Sequence, residues 1–165
     1  MISLHTSELK QVAPTLKPND RVSLSGTVYT ARDAAHKRLA ALIKEGKPLP
    51  FDLNGAVIYY AGPTETPPDM IIGSCGPTTS SRMDVYTPLL FQHGLAACIG
   101  KGPRSNEVTE AIQLHGGLYL CAIGGAGALA AICVTANETV AFPELGCEAV
   151  RKLTVKDLSL IVSIC

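Results

Sequence analysis

The feature of this sequence that most constrains its fold is a series of short, continuous apolar runs bounded by glycine and proline. Runs that stay apolar at successive positions, instead of alternating, indicate strands that are covered on both faces. Helical patterns separate two of these runs from the next, over Ser80–His93 and Arg104–His115. This order of strand, helix and strand predicts an α/β fold with a largely parallel sheet and helical crossovers. The four runs are Ala56–Ala61, Met70–Gly73, Leu95–Ile99 and Leu118–Ile123.

Further elements are predicted on either side of these runs. The alternation of Arg21–Tyr29 predicts a first strand, and the pattern after it predicts a helix that begins near Thr30 and ends at Gly46. Towards the end of the chain the sequence predicts a buried helix or turn, a short strand, a short helix that starts at a proline, and a final strand. These cover Ala126–Thr135, Thr139–Phe142, Pro143–Arg151 and Val155–Cys165.

Length and charge narrow the class of protein. The 165 residues predict one domain, and 14 basic residues balance 14 acidic ones, which argues against a nucleic-acid-binding protein. Only 17% of residues are charged, against a typical ~25%, so we expect an extensive subunit interface. No apolar run approaches the ~18 residues that span a bilayer, and the N-terminus does not resemble a signal peptide. We therefore expect a cytoplasmic protein that does not bind membranes.

The six cysteines do not have the spacing of a metal site. None forms a CxxC pair or a cysteine–histidine pattern typical of zinc. Four of them lie within apolar runs, so the pattern favours free thiols in a reducing compartment. We expect no metal ligand in this chain.

Basic side chains follow three of the predicted strands, where ligands bind in open α/β sheets. Arg32 follows the first strand, and Lys101 lies between two glycines after the run that ends at Ile99. The loop Gly76–Arg82 combines a tight turn with four hydroxyls and an arginine at the start of a predicted helix, where free N–H groups favour anions. An ordinary helix cap with a surface arginine remains the alternative for this loop. Together these groups predict a site for a small dicarboxylate, which His36 either lines or supports from the core.

A glycine pattern offers a competing interpretation. Gly125, Gly127 and Ala130 match the dinucleotide fingerprint, and Glu144 lies about 20 residues further on. Too few residues follow for a mononucleotide-binding half, so close packing is the favoured reason for these glycines.

Four longer segments together resemble one known family. The chain is similar to the C-terminal domain of class I fumarases and to the β subunits of two-chain fumarases and L-tartrate dehydratase, over nearly its whole length. The family's chains usually continue past Cys165, so we expect a final segment to be missing, and Cys147 stands where methionine is more common. The segments are Gly26–Thr27 with ARDAAHKR (31–38), GPTTSSRMD (76–84), IGKG (99–102), and PELG (143–146) with Glu148–Ala149.

The resemblance implies a function. The family hydrates fumarate to L-malate in the tricarboxylic acid cycle, or removes water from tartrate, with a [4Fe–4S] cluster that the α subunit or the other domain holds. It implies a swivelling β/β/α domain, an α subunit as partner, and a heterotetramer or homodimer. By resemblance Arg32, Arg82 and Lys101 bind the substrate carboxylates, Thr78 is the candidate base, and His36 lines the site. A dinucleotide-binding oxidoreductase domain and a non-catalytic interaction module remain the alternatives from other classes.

Overall fold

The computed structural model describes residues 1–165. Its central element is a seven-stranded sheet that is partly closed into a barrel. The strands are β1 Ile2–His5, β2 Arg21–Thr30, β3 Val57–Tyr59, β4 Ala97–Gly100, β5 Leu118–Cys121, β6 Val134–Ala141 and β7 Val150–Ile164. The α-helices are α1 Leu9–Val12, α2 Asp33–Lys44, α3 Thr87–Gln92, α4 Asn106–Leu114 and α5 Gly127–Ile132. Short 3₁₀ turns cover Thr6–Glu8, Ala13–Thr15, Ser80–Met83 and Pro143–Glu148.

Two kinds of strand pairing build the sheet. Strands β1 to β5 pair in parallel, in the order of the chain. Strand β7 runs antiparallel to β2, β5 and β6, and its pairing with both β2 and β5 closes the ring β2-β3-β4-β5-β7. The α/β class is therefore confirmed, but the expected largely parallel sheet describes only β1 to β5.

The strands β3 to β5 separate two cores, as their continuous apolar sequences predicted. Val57, Ile99 and Leu120 point into the barrel, where they pack with residues of β2 and β7. Ile58 and Tyr119 point outwards and pack against helices α2, α3 and α4. Burial on both faces leaves no solvent-facing position in these strands, which explains why they do not alternate.

Several predicted elements differ in the structure. The run Met70–Gly73 is a series of bends, because prolines precede it and only Ile72 of its large side chains enters the core, while Met70 and Ile71 stay about half exposed. The N-cap residue of helix α2 is Arg32, whose side chain makes no capping hydrogen bond, and not the predicted Thr30. The buried Thr30 hydroxyl instead donates to the Ala149 carbonyl (3.3 Å).

The predicted helix Ser80–His93 is broken in the middle. Ser80–Met83 is a single 3₁₀ turn without a side-chain cap, and α3 begins four residues later with Pro88 in its first turn. The break occurs at Asp84, whose carboxylate accepts hydrogen bonds from Arg104 and from the Ser105 amide instead of facing solvent. The expectation of an anion-binding helix N-terminus at Ser80 is therefore wrong, since one 3₁₀ turn has no substantial dipole.

The largest differences between the predicted and the observed elements lie at the end of the chain. The final strand is 15 residues long and begins at Val150, and the predicted helix Pro143–Arg151 is a 3₁₀ segment, Pro143–Glu148, that is interrupted at Gly146. The predicted short strand Thr139–Phe142 is the end of a longer strand, β6. No helix in the structure has both the length and the apolar character needed to cross a membrane.

Candidate functional site

The loops after β2, β3 and β4 meet at one rim of the sheet, but the loop Gly76–Arg82 follows β3 and not the predicted strand Met70–Gly73, which is not formed. The Thr78 amide donates to the Tyr60 carbonyl beyond β3 (2.7 Å), and the Ser80 amide donates to the Lys101 carbonyl beyond β4 (2.9 Å). Single bridges join Ala61 to Pro77 and Thr79 to Lys101. The Gly76–Arg82 loop therefore lies between the ends of β3 and β4 as an irregular extra strand.

Arg32 and Arg82 come together at an open depression on this rim. Asp33, at the start of α2, lies between them: its Oδ1 is 3.0 Å from Arg82 Nε and its Oδ2 is 3.9 Å from Arg32 Nη2. Glu148 Oε1 lies 3.3 Å from Arg32 Nε. The depression thus joins two arginines that are 50 positions apart in the sequence. The charged and polar residues that line it are Arg32, Asp33, Lys37, Arg82, Tyr86 and Glu148.

The hydrogen-bonding groups of this depression are incompletely satisfied within the chain. The Nε of Arg32 and the Oδ2 of Asp33 are both buried, yet neither makes a hydrogen bond. Three cationic side chains face two carboxylates there, which leaves one positive charge in excess. The excess positive charge of this depression favours an anionic ligand.

Lys101 and Thr78 lie on the same rim but do not line that depression. Lys101 is half-buried, and its side chain runs beside Gly124, where an added Cβ would lie 3.9 Å from Nζ. Because β3 separates β2 from β4, their ends are about 10 Å apart, at roughly 4.8 Å per strand. Lys101 therefore faces the Thr78 loop from the side opposite to Arg32.

His36 lies in the core behind Arg32. No part of it is exposed, its Nδ1 lies 2.9 Å from the Arg32 carbonyl, and its ring contacts those of Tyr60 and Tyr86. Burial, helped by the nearby Arg104 charge, lowers the pKa of His36 from 6.5 to about 4, although the hydrogen bond to the Arg32 backbone opposes this shift. The imidazole is therefore neutral at physiological pH, and it supports the Arg32 backbone from beneath.

A buried arginine that the sequence did not predict, Arg104, connects the loop of Lys101 to the segment of Arg82. The Arg104 side chain is fully buried, its Nε donates to Asp84 Oδ1 (2.7 Å), and its Nη2 donates to Thr87 Oγ1 (2.7 Å). The guanidinium also lies over the rings of Tyr60 and Tyr119. Desolvation opposes its charge, but the neighbouring Tyr60, Cys98 and Asp84 more than offset this and raise the pKa of Arg104. Arg104 thus fastens the loop after β4 to the segment that carries Arg82.

Two contacts beside Arg104 complete this arrangement. The Tyr119 hydroxyl donates to the Gly102 carbonyl (2.8 Å) and lies 2.9 Å from Ser80 Oγ. A Cβ on Gly100 would overlap Ser80 Oγ and approach Tyr60 Cδ2 to 2.8 Å, so this position requires glycine. No sequence pattern marks this cluster, because its members come from five separate segments.

Comparison with known proteins identifies the chain's relatives. A family model described as "Fumarase C-terminus" matches residues 1–165. The anaerobic class I fumarate hydratase of Escherichia coli K12 is 47% identical over 144 residues, which are 86% of this chain and 26% of that protein. The chain belongs to the fumarase C-terminal family.

The fumarase C-terminal family also includes separate subunits. A putative L(+)-tartrate dehydratase subunit beta of Methanocaldococcus jannaschii is 39% identical over 158 residues, 93% of this chain and 81% of that subunit. By contrast, the chain spans about a quarter of the length of the fumarate hydratases from Escherichia coli and Leishmania major. The resemblance noted in the sequence is thereby confirmed.

The glycine pattern at Gly125–Ala130 has a packing explanation. A Cβ on Gly127 would overlap Ser74 Oγ and lie 3.0 Å from the Gly76 amide, and the Gly127 carbonyl accepts a hydrogen bond from the Cys75 amide. Strand β6, which follows α5, pairs only with β7 and is antiparallel to it, so the unit is not a parallel crossover. Glu144 forms an ion pair with Arg38. The dinucleotide interpretation is therefore wrong.

The residues of this chain do not form a metal site. All six cysteines are free thiols, and no three or more His, Cys, Asp or Glu side chains come together in a way that could hold a metal ion. An iron–sulfur cluster of the kind that the resemblance implies does not fit the groups present here.

Proposed function

We propose that this chain supplies the carboxylate-binding part of a hydro-lyase that interconverts fumarate and L-malate. Arg32 and Arg82 bind the substrate carboxylates, Lys101 contributes a further positive charge, Thr78 is the base, and His36 supports the site. The observation that carries the proposal is the meeting of Arg32 and Arg82 at one cationic depression, beside the Thr78 loop. Membership of the fumarase C-terminal family supports it.

The charges of the site suit this reaction. Removal of a proton from the carbon next to a carboxylate moves negative charge onto that carboxylate in the transition state. Cations that are already in place stabilise this charge without reorganisation. Threonine is a weak base unless its alkoxide is stabilised, so Thr78 depends on the neighbouring positive charge, to which Lys101 contributes from across the loop.

The remainder of the enzyme is proposed to lie outside this chain. An α subunit, or an equivalent N-terminal domain, would hold the [4Fe–4S] cluster, because no three His, Cys, Asp or Glu side chains come together here to bind a metal. Exposed apolar side chains in the segment from Ile123 to the end of α5 support a covering partner, as does the name of the tartrate dehydratase subunit beta. These side chains are Ile123, Leu129 and Ile132, each more than 60% exposed. We propose that this domain swivels as one body against that partner in a cytoplasmic heterotetramer or homodimer.

Replacement of Arg82 by lysine in the complete enzyme tests the proposal. Lysine keeps the charge but loses the two-pronged contact with a carboxylate. A lost charge-assisted hydrogen bond is worth about 1.5–3 kcal/mol, so we expect kcat/KM for fumarate to fall about 10- to 150-fold. The matched control is Arg38→Lys, because Arg38 is 41% exposed against 52% for Arg82 and pairs with Glu144 outside the depression. Near-normal kcat/KM in Arg82→Lys would contradict the proposal, and full turnover after Arg82→Ala would favour a non-catalytic interaction module.

An L-tartrate dehydratase β subunit is the second candidate. The chain covers 81% of the relative that carries this description, far more than of any of the fumarate hydratases compared above. The ratio of kcat/KM for fumarate, L-malate and L(+)-tartrate, measured on one preparation of the complete enzyme, distinguishes the two activities. Turnover of tartrate alone would assign the chain to the second.

A further inference from the structure

Asp33 is the one acidic residue that reaches both arginines of the depression. Its Oδ1 accepts a hydrogen bond from Arg82 Nε (3.0 Å), and its Oδ2 faces Arg32 Nη2 at 3.9 Å. Arg32 and Arg82 belong to different loops, so no contact along the chain sets the distance between them. The Asp33 carboxylate joins the two loops at the point where a ligand with two carboxylates would be bound.

The ion pairs within the chain leave the terminal edge of the Arg82 guanidinium available, whereas on Arg32 one terminal nitrogen, Nη2, faces Asp33 at 3.9 Å. Asp33 occupies the Nε of Arg82, and Glu148 lies against the Nε of Arg32. A guanidinium has a second edge, formed by its two terminal nitrogens, that can still bind a carboxylate through two hydrogen bonds. Contacts at Nε therefore orient each arginine without taking the place of the ligand.

A stabilising role alone does not explain this arrangement. The Arg82 side chain is 52% exposed and that of Asp33 is 33% exposed, and ion pairs so accessible to water contribute little to stability. Asp33 is also the first residue of α2, where an acidic side chain stabilises the helix through its interaction with the helix dipole. That role needs no contact with either arginine, and it leaves the buried, unpaired Oδ2 unexplained.

We propose that Asp33 is a positioning residue that holds Arg32 and Arg82 at the separation and orientation required by the two carboxylates of the substrate. The proposal rests on the function proposed above. Its action is exerted through the arginines, since a carboxylate would repel a dianionic substrate if it touched it directly.

The test is Asp33→Asn in the complete enzyme, assayed with fumarate. The amide keeps the shape of the side chain but weakens its hold on both guanidiniums, so we expect KM to rise about tenfold and kcat/KM to fall by at least that factor. The matched control is Glu45→Gln, the same loss of charge at the opposite end of α2, where Glu45 pairs only with Lys47. The control should leave KM and kcat unchanged.

A double-mutant cycle separates positioning from a direct effect. If Asp33 acts through Arg82, Asp33→Asn should raise KM less in an Arg82→Ala enzyme than in the wild type. Fully additive effects would overturn the proposal, as would an unchanged or lower KM in Asp33→Asn, because a lower KM means that Asp33 competes with the substrate. A lower melting temperature with unchanged KM would assign Asp33 to the helix dipole alone. If Arg32→Ala and Arg82→Ala both leave KM unchanged, the proposed function itself fails.

Discussion

Thr78 is the residue whose role is easiest to separate from folding. Thr79 precedes the 3₁₀ turn at Ser80, and no side chain caps that turn, so the capping role considered for Thr78 has no counterpart in the structure. If Thr78 moves the proton, Thr78→Ala should lower kcat by about 100-fold or more with similar KM, because acid–base groups contribute about 10²–10⁴. The melting temperature should stay close to that of the wild type.

Both quantities should be measured on the same preparation of the complete enzyme, with Thr79→Ala as the neighbouring control. A lower melting temperature with unchanged kcat would remove Thr78 from the catalytic residues. Arg32, Arg82 and Lys101 would then form a binding site only.

His36 gives the protein a defined dependence on pH. Its pKa is lowered to about 4 by burial, whereas the unfolded chain takes up the proton near 6.5. Between these values the unfolded state binds more protons, so stability is complete above about pH 6.5 and falls as the pH drops towards 4. At about 1.4 kcal/mol per pKa unit, the loss is of the order of 3 kcal/mol.

The measurement is the free energy of unfolding at pH 7, 6 and 5. His36→Gln removes the titrating group, so its stability should change less across this range than that of the wild type. Equal slopes in the two proteins would show that other groups cause the dependence.

At the residue scale, the sequence predicted the positions of charged groups better than their partners. Arg32 and Lys101 could be placed at strand ends because parallel strands bring those ends to one rim, whereas Arg82 was assigned to the end of Met70–Gly73, which is not a strand. Their partners Asp33 and Glu148 could not be assigned, since a carboxylate near a helix end has several common roles. The burial of Arg104 could not be predicted from the sequence, because its contacts come from segments that only the folded chain brings together.

At the scale of the elements, the packing of β2 against β1 and the turn that follows β1 requires a glycine at position 26. Gly26 has φ +118° at the irregular pairing with β7, and a Cβ there would overlap Thr6 Oγ1 and approach the His5 ring to 3.0 Å. Thr6 is not free to move, because its Oγ1 accepts a hydrogen bond from the Thr27 amide (3.0 Å). We expect Gly26→Ala to destabilise the protein by about 2–4 kcal/mol, from strain and overpacking together.

The matched control is Gly46→Ala. Gly46 also has positive φ (+64°), but nothing lies within 4 Å of an added Cβ, so only the backbone strain of about 1 kcal/mol remains. Chemical denaturation of both variants measures the difference. Equal losses of unfolding free energy in the two variants would mean that the close contacts of Gly26 with His5 and Thr6 do not contribute to the cost of an added Cβ.

The elements that the sequence predicted well are those whose environment is uniform. Strands β3 to β5 are buried on both faces, and α2 has an apolar face and ends at a glycine, so their patterns are unambiguous. Strand β1 was missed because it is four residues long with only Leu4 buried. The first part of β7 was missed because two charged residues, Arg151 and Lys152, interrupt its apolar positions.

As a whole molecule, the chain lacks groups that the proposed reaction needs. Expressed alone, the 165-residue chain should bind no iron–sulfur cluster and should not hydrate fumarate, because no three of its His, Cys, Asp or Glu side chains come together to hold a metal. Anaerobic reconstitution followed by iron analysis and a fumarate assay measures both properties, and the complete enzyme under the same conditions is the positive control. Stoichiometric cluster iron together with turnover in the lone chain would contradict the division of the site.

The late position of β7 has a consequence for how the protein is made. Arg21 pairs with Ile161 and Tyr29 with Lys152, so more than 120 residues separate β2 from the strand that covers its second edge. At roughly 5–20 residues per second, the ribosome exposes that edge for about 6–25 s before its partner emerges. An open strand edge pairs readily with other chains, so nascent copies on the same messenger are at risk of joining through β2. Slower translation between Thr30 and Val150 should therefore lower the yield of soluble protein, whereas slower translation before Arg21 should not.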